Sequence, residues 1–180
     1  YKVNMMEIKI KILTPGCSPE ISEKGDWIDL RTSQAIFLNG PEADTLKRKT
    51  VDGEEMRTRE VNFFNTLIPL GVAMKLPKDF EAILVPRSST YLKWGLLQTN
   101  SIGVIDNSYC GNNDEWKFPV VAFKSGIIPA GTKICQFRIQ PSQNASIWTK
   151  IKWLFSNKIV FKQVDDLGME DRGGFGSTGQ

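Results

Sequence analysis

Short apolar runs, either alternating with polar residues or rich in β-branched residues, recur along the chain between Gly, Pro and Asn. The clearest runs are residues 6–12, 82–85, 120–123, 134–139 and 159–161. A period of two is typical of a strand with one buried face, and many short strands between turn residues are typical of a β-barrel or sandwich. The regular alternation of strand and helix expected for a doubly wound nucleotide fold is missing from this pattern. The sequence therefore predicts an all-β barrel or sandwich.

One segment has helical spacing instead. Residues 146–157 carry apolar side chains three and four positions apart, and Ser146 or Asn144 is suited to cap the start of a helix. The apolar positions are Ile147, Trp148, Ile151, Leu154 and Phe155. We expect this face to pack on the barrel. Contact with a membrane surface or a partner protein is the alternative, because Lys150, Lys152 and two tryptophans lie in the same segment.

Residues 39–62 are rich in charges of both signs and poor in core residues. This composition predicts a long exposed excursion or a charged hairpin. A tolerated surface insertion is the simpler interpretation. A binding surface for a regulatory protein partner is the alternative.

Length and composition predict one domain. With 180 residues and 41% hydrophobic content, the chain can bury a sizeable core, which we place in residues 1–170, followed by a flexible arm over residues 171–180. No apolar run approaches the roughly 18 residues of a membrane helix, so no membrane partner is expected. The net charge of +3, from 23 basic and 20 acidic residues, predicts no binding of long nucleic acid and fits a small anion better.

The three cysteines, Cys17, Cys110 and Cys135, lie far apart and form no C-x-x-C pair. This spacing predicts neither a structural zinc site nor a disulfide framework. Small buried side chains are the simpler interpretation. We therefore expect a cytoplasmic protein.

The chain contains no histidine. Ser-His-Asp and Cys-His catalysis are therefore excluded, and so is His-ligated zinc chemistry. A general base in this protein has to be a carboxylate, a lysine, a tyrosine or a polarised water.

Three segments place polar side chains where predicted strands end or turn. They are Val85–Thr90, Asn100–Gly111 and Gly131–Gln136. The first sets a guanidinium beside hydroxyls, the second brackets a carboxylate and a phenol with glycines, and the third puts a glutamine in an apolar strand. Taken singly, they are also typical of a capped turn, a β-turn and a solvent-facing strand position.

The last ten residues combine a cation, an aromatic ring and two hydroxyls with several glycines. Glycine lets backbone N–H groups approach a phosphate closely, and arginine can fork onto phosphate oxygens. An aromatic ring can stack on a base for about 1–3 kcal/mol. A frayed terminus is the simpler interpretation of this segment alone. An arm that closes over an anionic, ring-bearing ligand is the functional one.

Taken in order, five segments resemble the five motifs of the trimeric dUTP diphosphatases, the dUTPases. They are Gly25–Leu30, Arg87–Gly95, Gly103–Gly111, Gly131–Gln136 and Arg172–Gly179. The resemblance runs from about residue 25 to the end of the sequence. It leaves residues 39–62 and 146–157 as additions.

The resemblance implies a jelly-roll-like β-barrel with one short helix, assembled into a homotrimer with three shared active sites. The second and fourth motifs would come from one subunit, the third from a neighbour, and the C-terminal arm from the remaining one. The implied reaction converts dUTP and water to dUMP and pyrophosphate, which limits uracil incorporation into DNA and supplies dUMP. Mg²⁺ would bind through the triphosphate and waters, with no direct protein ligand.

The resemblance also implies a role for each matching residue. Asp106 would orient and deprotonate the attacking water, Gln136 would hold that water or a phosphate oxygen, and Asp29 would orient charge around the metal and phosphates. The phosphates would be bound by Arg87, Ser88, Ser89, Arg172, Ser177 and Thr178, and Gly176 would also contact the substrate.

Selectivity would come from the same segments. Tyr109 would pack under the deoxyribose, where a 2′-hydroxyl would collide, and Phe175 would cover the base. A hairpin containing Asn100, Gly103, Val104 and Ile105 would pair with the edge of uracil. Cytosine would leave polar groups of such a site unpaired.

Two alternatives to dUTP hydrolysis remain at this stage. The first is a dCTP deaminase of the same fold, for which Glu115 is the nearby candidate for proton transfer. The second is a dUTPase-like regulatory binding protein that uses the charged segment at residues 39–62. Trp116 is either a pocket residue or a trimer contact, and we expect a trimer contact.

Overall fold

The computed structural model describes residues 5–22, 25–155 and 158–174. Strands predominate in these ranges, and two helices accompany them. The strands are β1 (Met5–Ile12), β2 (Glu20–Ile21), β3 (Ile28–Arg31), β4 (Ile36–Leu38), β5 (Glu42–Ala43), β6 (Lys47–Val51), β7 (Glu54–Thr58), β8 (Val61–Asn62), β9 (Asn65–Pro69), β10 (Val72–Lys75), β11 (Phe80–Pro86), β12 (Leu96–Gln98), β13 (Gly103–Asp106), β14 (Lys117–Ala122), β15 (Gly126–Ile128), β16 (Lys133–Pro141) and β17 (Lys158–Gln163). The helices are α1 (Thr90–Trp94) and α2 (Ile147–Phe155).

The largest sheet positions the candidate site. Its strand order is β13-β11-β16-β3-β2, and β11 pairs antiparallel with both of its neighbours. Two three-stranded sheets have the orders β10-β1-β17 and β12-β14-β9. All five runs singled out in the sequence are strands, namely β1, β11, β14, β16 and β17. The all-β prediction is therefore confirmed.

The core follows the alternation of the strands. Strand β11 buries Phe80, Ala82 and Leu84 while the residues between them are only partly buried. The fully buried rings of Trp116 and Phe137 meet edge to face, with centroids 5.1 Å apart. The expectation that Trp116 forms a trimer contact is therefore wrong, because its own chain encloses the indole ring.

The charged segment forms a hairpin from β6 and β7, and both strands are exposed along their whole length. Its turn residues, Asp52 and Gly53, have φ angles of 49° and 85°. Two positive φ values are typical of the two-residue turn that matches the twist of a hairpin. Arg48 and Glu55 form an ion pair across it at 3.3 Å. The prediction of a charged hairpin within residues 39–62 is confirmed.

Helix α2 forms where the sequence predicts it, but with a different face on the barrel. Ser146 caps its start, because the Ser146 Oγ accepts a hydrogen bond from the Thr149 N–H at 3.1 Å. The expected packing face is exposed: Ile147 by 65%, Trp148 by 69%, Ile151 by 37%, Leu154 by 75% and Phe155 by 84%. Trp153, on the opposite side, packs edge to face on Phe80 at 5.4 Å. The packing prediction is therefore wrong, because a single indole ring outside the periodic stripe anchors the helix.

The short helix α1 was not predicted from the sequence. It ends at Gly95, whose φ of 64° lies in the left-handed region and whose N–H donates to the Tyr91 carbonyl at 2.7 Å. None of the helices within the described ranges is long and apolar enough to cross a membrane.

Candidate active site

A cavity of about 260 Å³ opens beside β13. Seven of the residues predicted for the site line it: Asn100, Gly103, Val104, Ile105, Asp106, Tyr109 and Arg172. The remaining lining residues are Leu84, Trp116, Lys117, Pro119, Gly173 and Gly174. The third motif and the start of the C-terminal arm therefore meet in the same chain.

The turn that joins β12 to β13 brings the backbone close to this cavity. The two strands belong to different sheets, so the expected hairpin around Asn100 is instead a turn between sheets. Ser101, in its turn, has a φ of 59°, which is uncommon for any residue except glycine. Gly103 then pairs with Leu84 of β11. A side-chain carbon added to Gly103 would lie only 3.2 Å from the Leu84 Cβ. Glycine therefore permits a close approach of strands that a larger residue would push apart.

Asp106 ends β13, and both of its carboxylate oxygens accept hydrogen bonds. Its Oδ1 accepts from the Ser108 N–H at 2.8 Å and also from the Ser108 hydroxyl, while its Oδ2 is 2.5 Å from the Arg172 Nη1. Burial opposes ionisation of this carboxyl group. The hydrogen bonds from Ser108 and Arg172 outweigh burial, so the pKa of Asp106 is lowered.

Tyr109 holds its ring at the cavity through its hydroxyl, which donates to the Glu115 carbonyl at 2.9 Å. Burial raises the pKa of Tyr109 to about 12, and the nearby charges of Asp114, Glu115 and Asp171 act in the same direction. The phenol therefore stays protonated at physiological pH and keeps this hydrogen bond.

Asp114 fixes the backbone of the arm. It is only 2% exposed, and its Oδ2 accepts from the N–H groups of Gly111 at 2.8 Å and Arg172 at 2.9 Å. Its Oδ1 accepts from the Gly173 N–H at 2.9 Å. Three N–H donors thus converge on one buried carboxylate, which places Arg172 within reach of Asp106.

A second contact docks the arm one residue earlier. The Asp171 carboxylate accepts from the backbone N–H of Asn113 at 2.8 Å and from its side-chain Nδ2 at 2.6 Å. Gly111 leaves room for this contact, since a side-chain carbon there would lie 2.7 Å from the Asp171 nitrogen. Gly111 of the third motif therefore leaves the space in which the C-terminal arm, which carries the fifth motif, docks.

A second group of predicted residues gathers where β11 ends. Asp29 of β3 is paired in register with Gln136 of β16 and is 5% exposed. Its Oδ1 is 2.8 Å from the Arg87 Nε, and its Oδ2 is 3.3 Å from the Lys133 Nζ. The Gln136 Nε2 donates to the Pro86 carbonyl at 3.4 Å. The structure therefore brings Asp29, Arg87 and Gln136 together.

Ser88 and Ser89 lie in the turn between β11 and α1. Thr90 fixes that turn, because its Oγ1 accepts from the Arg87 N–H at 3.1 Å and donates to the Ile134 carbonyl at 2.7 Å. The Ser89 hydroxyl does not cap α1. Neither serine hydroxyl has a hydrogen-bond partner among the residues that the structure describes. Both are therefore available to ligand oxygens.

Asp106 and Arg87 lie at opposite ends of β11. Asp106 pairs with Glu81 at one end, and Arg87 directly follows Pro86 at the other. At about 3.3 Å per residue, the six steps along the strand from Glu81 to Arg87 span about 20 Å. Asp106 and Arg87 of one chain therefore cannot meet at one reacting phosphorus atom.

The described part of the arm ends at Gly174. Phe175, Gly176, Ser177 and Thr178, which the resemblance places in the site, lie outside the described residues.

Comparison with known proteins identifies the family. The family model described as dUTPase matches residues 58–179. The SPbeta prophage-derived deoxyuridine 5′-triphosphate nucleotidohydrolase of Bacillus subtilis (strain 168) is 42% identical over 176 residues, which cover 97% of this chain and 99% of that protein. The chain belongs to the dUTPase family.

Solved dUTPase structures share the fold. The dUTPase from Streptococcus mutans matches with a TM-score of 0.58 at 18% identity, over 77% of this chain and 98% of that chain. A variant of the dUTPase from phage phi11 of S. aureus, whose structure shows the coordination of a structural Mg(II) ion, matches with a TM-score of 0.55 at 16% identity. That match covers 78% of this chain and 94% of the phage chain. The predicted jelly-roll-like dUTPase fold is therefore confirmed.

Glu115 gives no support to the deaminase alternative. Its Oε1 accepts a hydrogen bond from the Gly71 N–H at 2.8 Å, and the residue is not part of the cavity lining. The carboxylate is therefore committed to the backbone of a dUTPase fold instead of facing a base.

Sequence reasoning missed four polar residues that shape the site: Ser108, Asp114, Thr90 and Lys133. Only Ser108 carries a readable signal, because an aspartate two residues before a serine is typical of an Asx turn. Asp114 and Thr90 act on backbone groups that are distant in sequence. The Ile134 partner of Thr90 becomes a neighbour only when β11 and β16 pair, and the Arg172 and Gly173 partners of Asp114 only when the arm docks.

The contacts of Asp106 predict how its pKa responds to substitution. Arg172→Gln should raise the Asp106 pKa, because it removes a positive charge and a hydrogen bond that both favour the ionised form. Arg172→Lys, which keeps the charge, should raise it less. A ¹³C NMR titration of the Asp106 carboxyl carbon measures both shifts. An unchanged or lowered pKa in Arg172→Gln would show that the ion pair does not persist in solution.

The contacts of Asp114 predict a second outcome. Asp114→Asn should release the arm, because an amide offers one acceptor oxygen where three N–H donors converge. We expect amide hydrogen exchange at Arg172 and Gly173 to accelerate about tenfold or more.

Asp171→Asn is the matched control, since the Asn113 side-chain amide can rotate and offer its oxygen to the new NH₂ group. It should change exchange much less than Asp114→Asn. Equal effects of the two substitutions would contradict the role of Asp114 as the main anchor of the arm.

Proposed function

We propose that the protein hydrolyses dUTP to dUMP and pyrophosphate. Its membership of the dUTPase family supports this reaction, as does a near full-length relative named as a deoxyuridine 5′-triphosphate nucleotidohydrolase. The observation that carries the proposal is the cavity beside β13, where Asp106 lies next to a tyrosine ring and an arginine.

Asp106 is the proposed base that orients and deprotonates the attacking water. A carboxylate with an ordinary pKa of about 3.9 is a weak base, and here the pKa is lower still. Most of the acceleration must therefore come from positioning and from stabilisation of charge at phosphorus. No covalent intermediate is required, which agrees with a chain that has no histidine.

The phosphate end of the site is proposed to be the group around Arg87. The available hydroxyls of Ser88 and Ser89 and the Arg87 guanidinium would bind phosphate oxygens. Asp29 holds Arg87 in place, and Gln136 would contact the water or a phosphate oxygen.

Mg²⁺ is the proposed cofactor. Among the described residues, no cluster of three or more His, Cys, Asp and Glu side chains could hold a metal ion. Mg²⁺ often keeps several waters and binds chiefly through substrate phosphates. We therefore propose that it binds through the triphosphate and waters, where it would neutralise phosphate charge.

Selectivity is proposed to depend on the wall of the cavity. The Tyr109 ring, held by its hydrogen bond to Glu115, would exclude a ribose 2′-hydroxyl. The backbone of Gly103–Ile105 and the side chain of Asn100 would face the uracil edge. Phe175 would cover the base, and Gly176, Ser177 and Thr178 would add phosphate contacts.

A homotrimer with shared sites is the proposed assembly. The separation of about 20 Å between Asp106 and Arg87 along β11 supports sites in which these residues come from different chains. The contacts of Arg172 and Gly173 with Asp106 and Asp114 favour an arm that closes on its own chain's Asp106. This differs from the arrangement that the resemblance implies, in which the arm comes from the remaining subunit.

A regulatory protein partner stays a prediction. The exposed hairpin of β6 and β7 is the surface that such a partner would use, because among the described strands these two pair only with each other. A cytoplasmic location stays a prediction as well.

Pyrophosphate release with Mg²⁺ from dUTP, dCTP, dTTP and UTP tests the reaction. We expect release from dUTP alone, and a loss of at least about 10³-fold in kcat for Asp106→Asn, which keeps the shape but loses the base. A chain ending at Asp171 should also lose most activity. Ammonia release from dCTP would favour the deaminase, and no reaction with any of the four would favour a binding protein.

Mixing inactive subunits tests the shared site. Asp106→Asn and Arg87→Gln chains, unfolded and refolded together, should recover about a quarter of wild-type activity. Half of the chains carry Asp106 and half carry Arg87, so about one shared site in four would contain both residues. Each variant refolded alone is the control. No recovery in the mixture would argue that both residues act within one chain.

A second experiment of the same kind, with chains that end at Asp171, identifies the subunit that supplies the arm. Chains ending at Asp171 should complement Arg87→Gln. They should not complement Asp106→Asn if the arm closes on its own chain's Asp106. Recovery with Asp106→Asn would instead place the arm in a site whose Asp106 belongs to another chain.

A further inference from the structure

Gln98 connects strand β11 to the turn that carries Asn100. It is the last residue of β12 and is 6% exposed. Its Nε2 donates to the Leu84 carbonyl at 3.2 Å and to the Asn100 Oδ1 at 2.8 Å. Asn100 itself lines the cavity, whereas Gln98 does not. Gln98 can therefore influence a ligand only through its neighbour.

The direction of these hydrogen bonds is fixed by chemistry. A backbone carbonyl can only accept, so the Gln98 atom that faces Leu84 must be the amide nitrogen. The same nitrogen meets the Asn100 side chain, which must then present its oxygen. The Asn100 atom that remains for the cavity is Nδ2, a donor. The Leu84 carbonyl thus determines, through Gln98, that the Asn100 side chain presents its NH₂ group to the cavity.

The buried position of Gln98 has a cost in stability and requires space from a neighbouring residue. Its Oε1 is buried without a hydrogen-bond partner in the described part of the chain. A buried unpaired oxygen is destabilising and is uncommon in native structures. Gly103 also makes room for Gln98, since a side-chain carbon there would lie 3.3 Å from the Gln98 Nε2. An apolar side chain of similar size would avoid the unpaired oxygen, so packing alone does not explain the glutamine.

We propose that Gln98 is a specificity-determining positioning residue that holds Asn100 with its NH₂ group free for the ligand. That group can donate to the 4-keto oxygen of uracil, whereas it meets the 4-amino group of cytosine donor against donor. This inference rests on the proposed hydrolysis of dUTP. It adds a residue that sets which pyrimidine the site accepts.

The test compares kcat/KM for dUTP and dCTP in wild type and Gln98→Met, a substitution of similar length that cannot donate. Without the donor, the Asn100 amide is free to rotate and to offer its oxygen to cytosine. We expect the dUTP-to-dCTP ratio to fall about 10- to 100-fold. An unchanged ratio in an active Gln98→Met variant would overturn the proposed role of Gln98 and leave the proposed hydrolysis of dUTP unaffected. A wild-type protein inactive on dUTP would remove the proposed function and this inference together.

A double-mutant cycle separates positioning from simple packing. In an Asn100→Ala background, Gln98→Met should no longer change the ratio, because the residue through which it acts is gone. A change of the same size in both backgrounds would overturn the proposal, since a packing defect does not depend on Asn100.

Asn100→Asp provides a test that does not depend on the folding of a core variant, because Asn100 is exposed. The new carboxylate can still accept from Gln98, but it offers the ligand an acceptor in place of a donor. The ratio should shift toward dCTP by about tenfold or more. A ratio equal to that of wild type would overturn the proposal.

Discussion

The pairing of β11 with β13 on one side and β16 on the other determines where the described site residues lie. Asp106 is held opposite Glu81 at the start of β11, while Gln136 lies opposite Val85 near its end. A one-residue slip would turn the core side chains of β11 outward, so the register is fixed by burial. The proposed catalytic carboxylate and the proposed phosphate ligands consequently lie beside the two ends of one rigid strand, β11. Their separation follows from the strand and not from any loop, and assembly is the simplest way to bring them together.

Within each half of the site, buried groups that can only donate or only accept decide how polar side chains are oriented. Asp114 faces three backbone N–H donors, and Thr90 bridges an N–H donor and a carbonyl acceptor. Gln98 faces the Leu84 carbonyl. In each case at least one fixed partner belongs to a segment that is distant in sequence. Because such groups are costly to leave unpaired, they hold the residues that would contact substrate more firmly than surface contacts could.

The sequence predicted the strands and the charged hairpin, and it singled out residues that the structure brings together beside β13 and at the end of β11, since short alternating runs and ordered motifs are local signals. It did not predict which face of α2 packs. Trp153, which stands outside the periodic stripe, contacts the barrel, while the five apolar positions of the stripe stay exposed. The sequence also misplaced Trp116, whose burial depends on Phe137 of a distant strand. The role of Asp114 could not be predicted for the same reason, because Arg172 and Gly173 become its neighbours only when the arm docks.

The ion pair between Arg172 and Asp106 would couple the arm to the proposed chemistry. The Arg172 guanidinium contacts one oxygen of the proposed base, and Ser108 contacts the other. An attacking water needs at least one of these oxygens. A triphosphate offers Arg172 several anionic oxygens in place of a single carboxylate, and planar guanidinium groups bind phosphate well. Binding of the triphosphate would therefore draw Arg172 from Asp106 and free the base when substrate is present. Since Asp114 holds only the backbone of Arg172, the side chain can make this exchange while the arm stays docked.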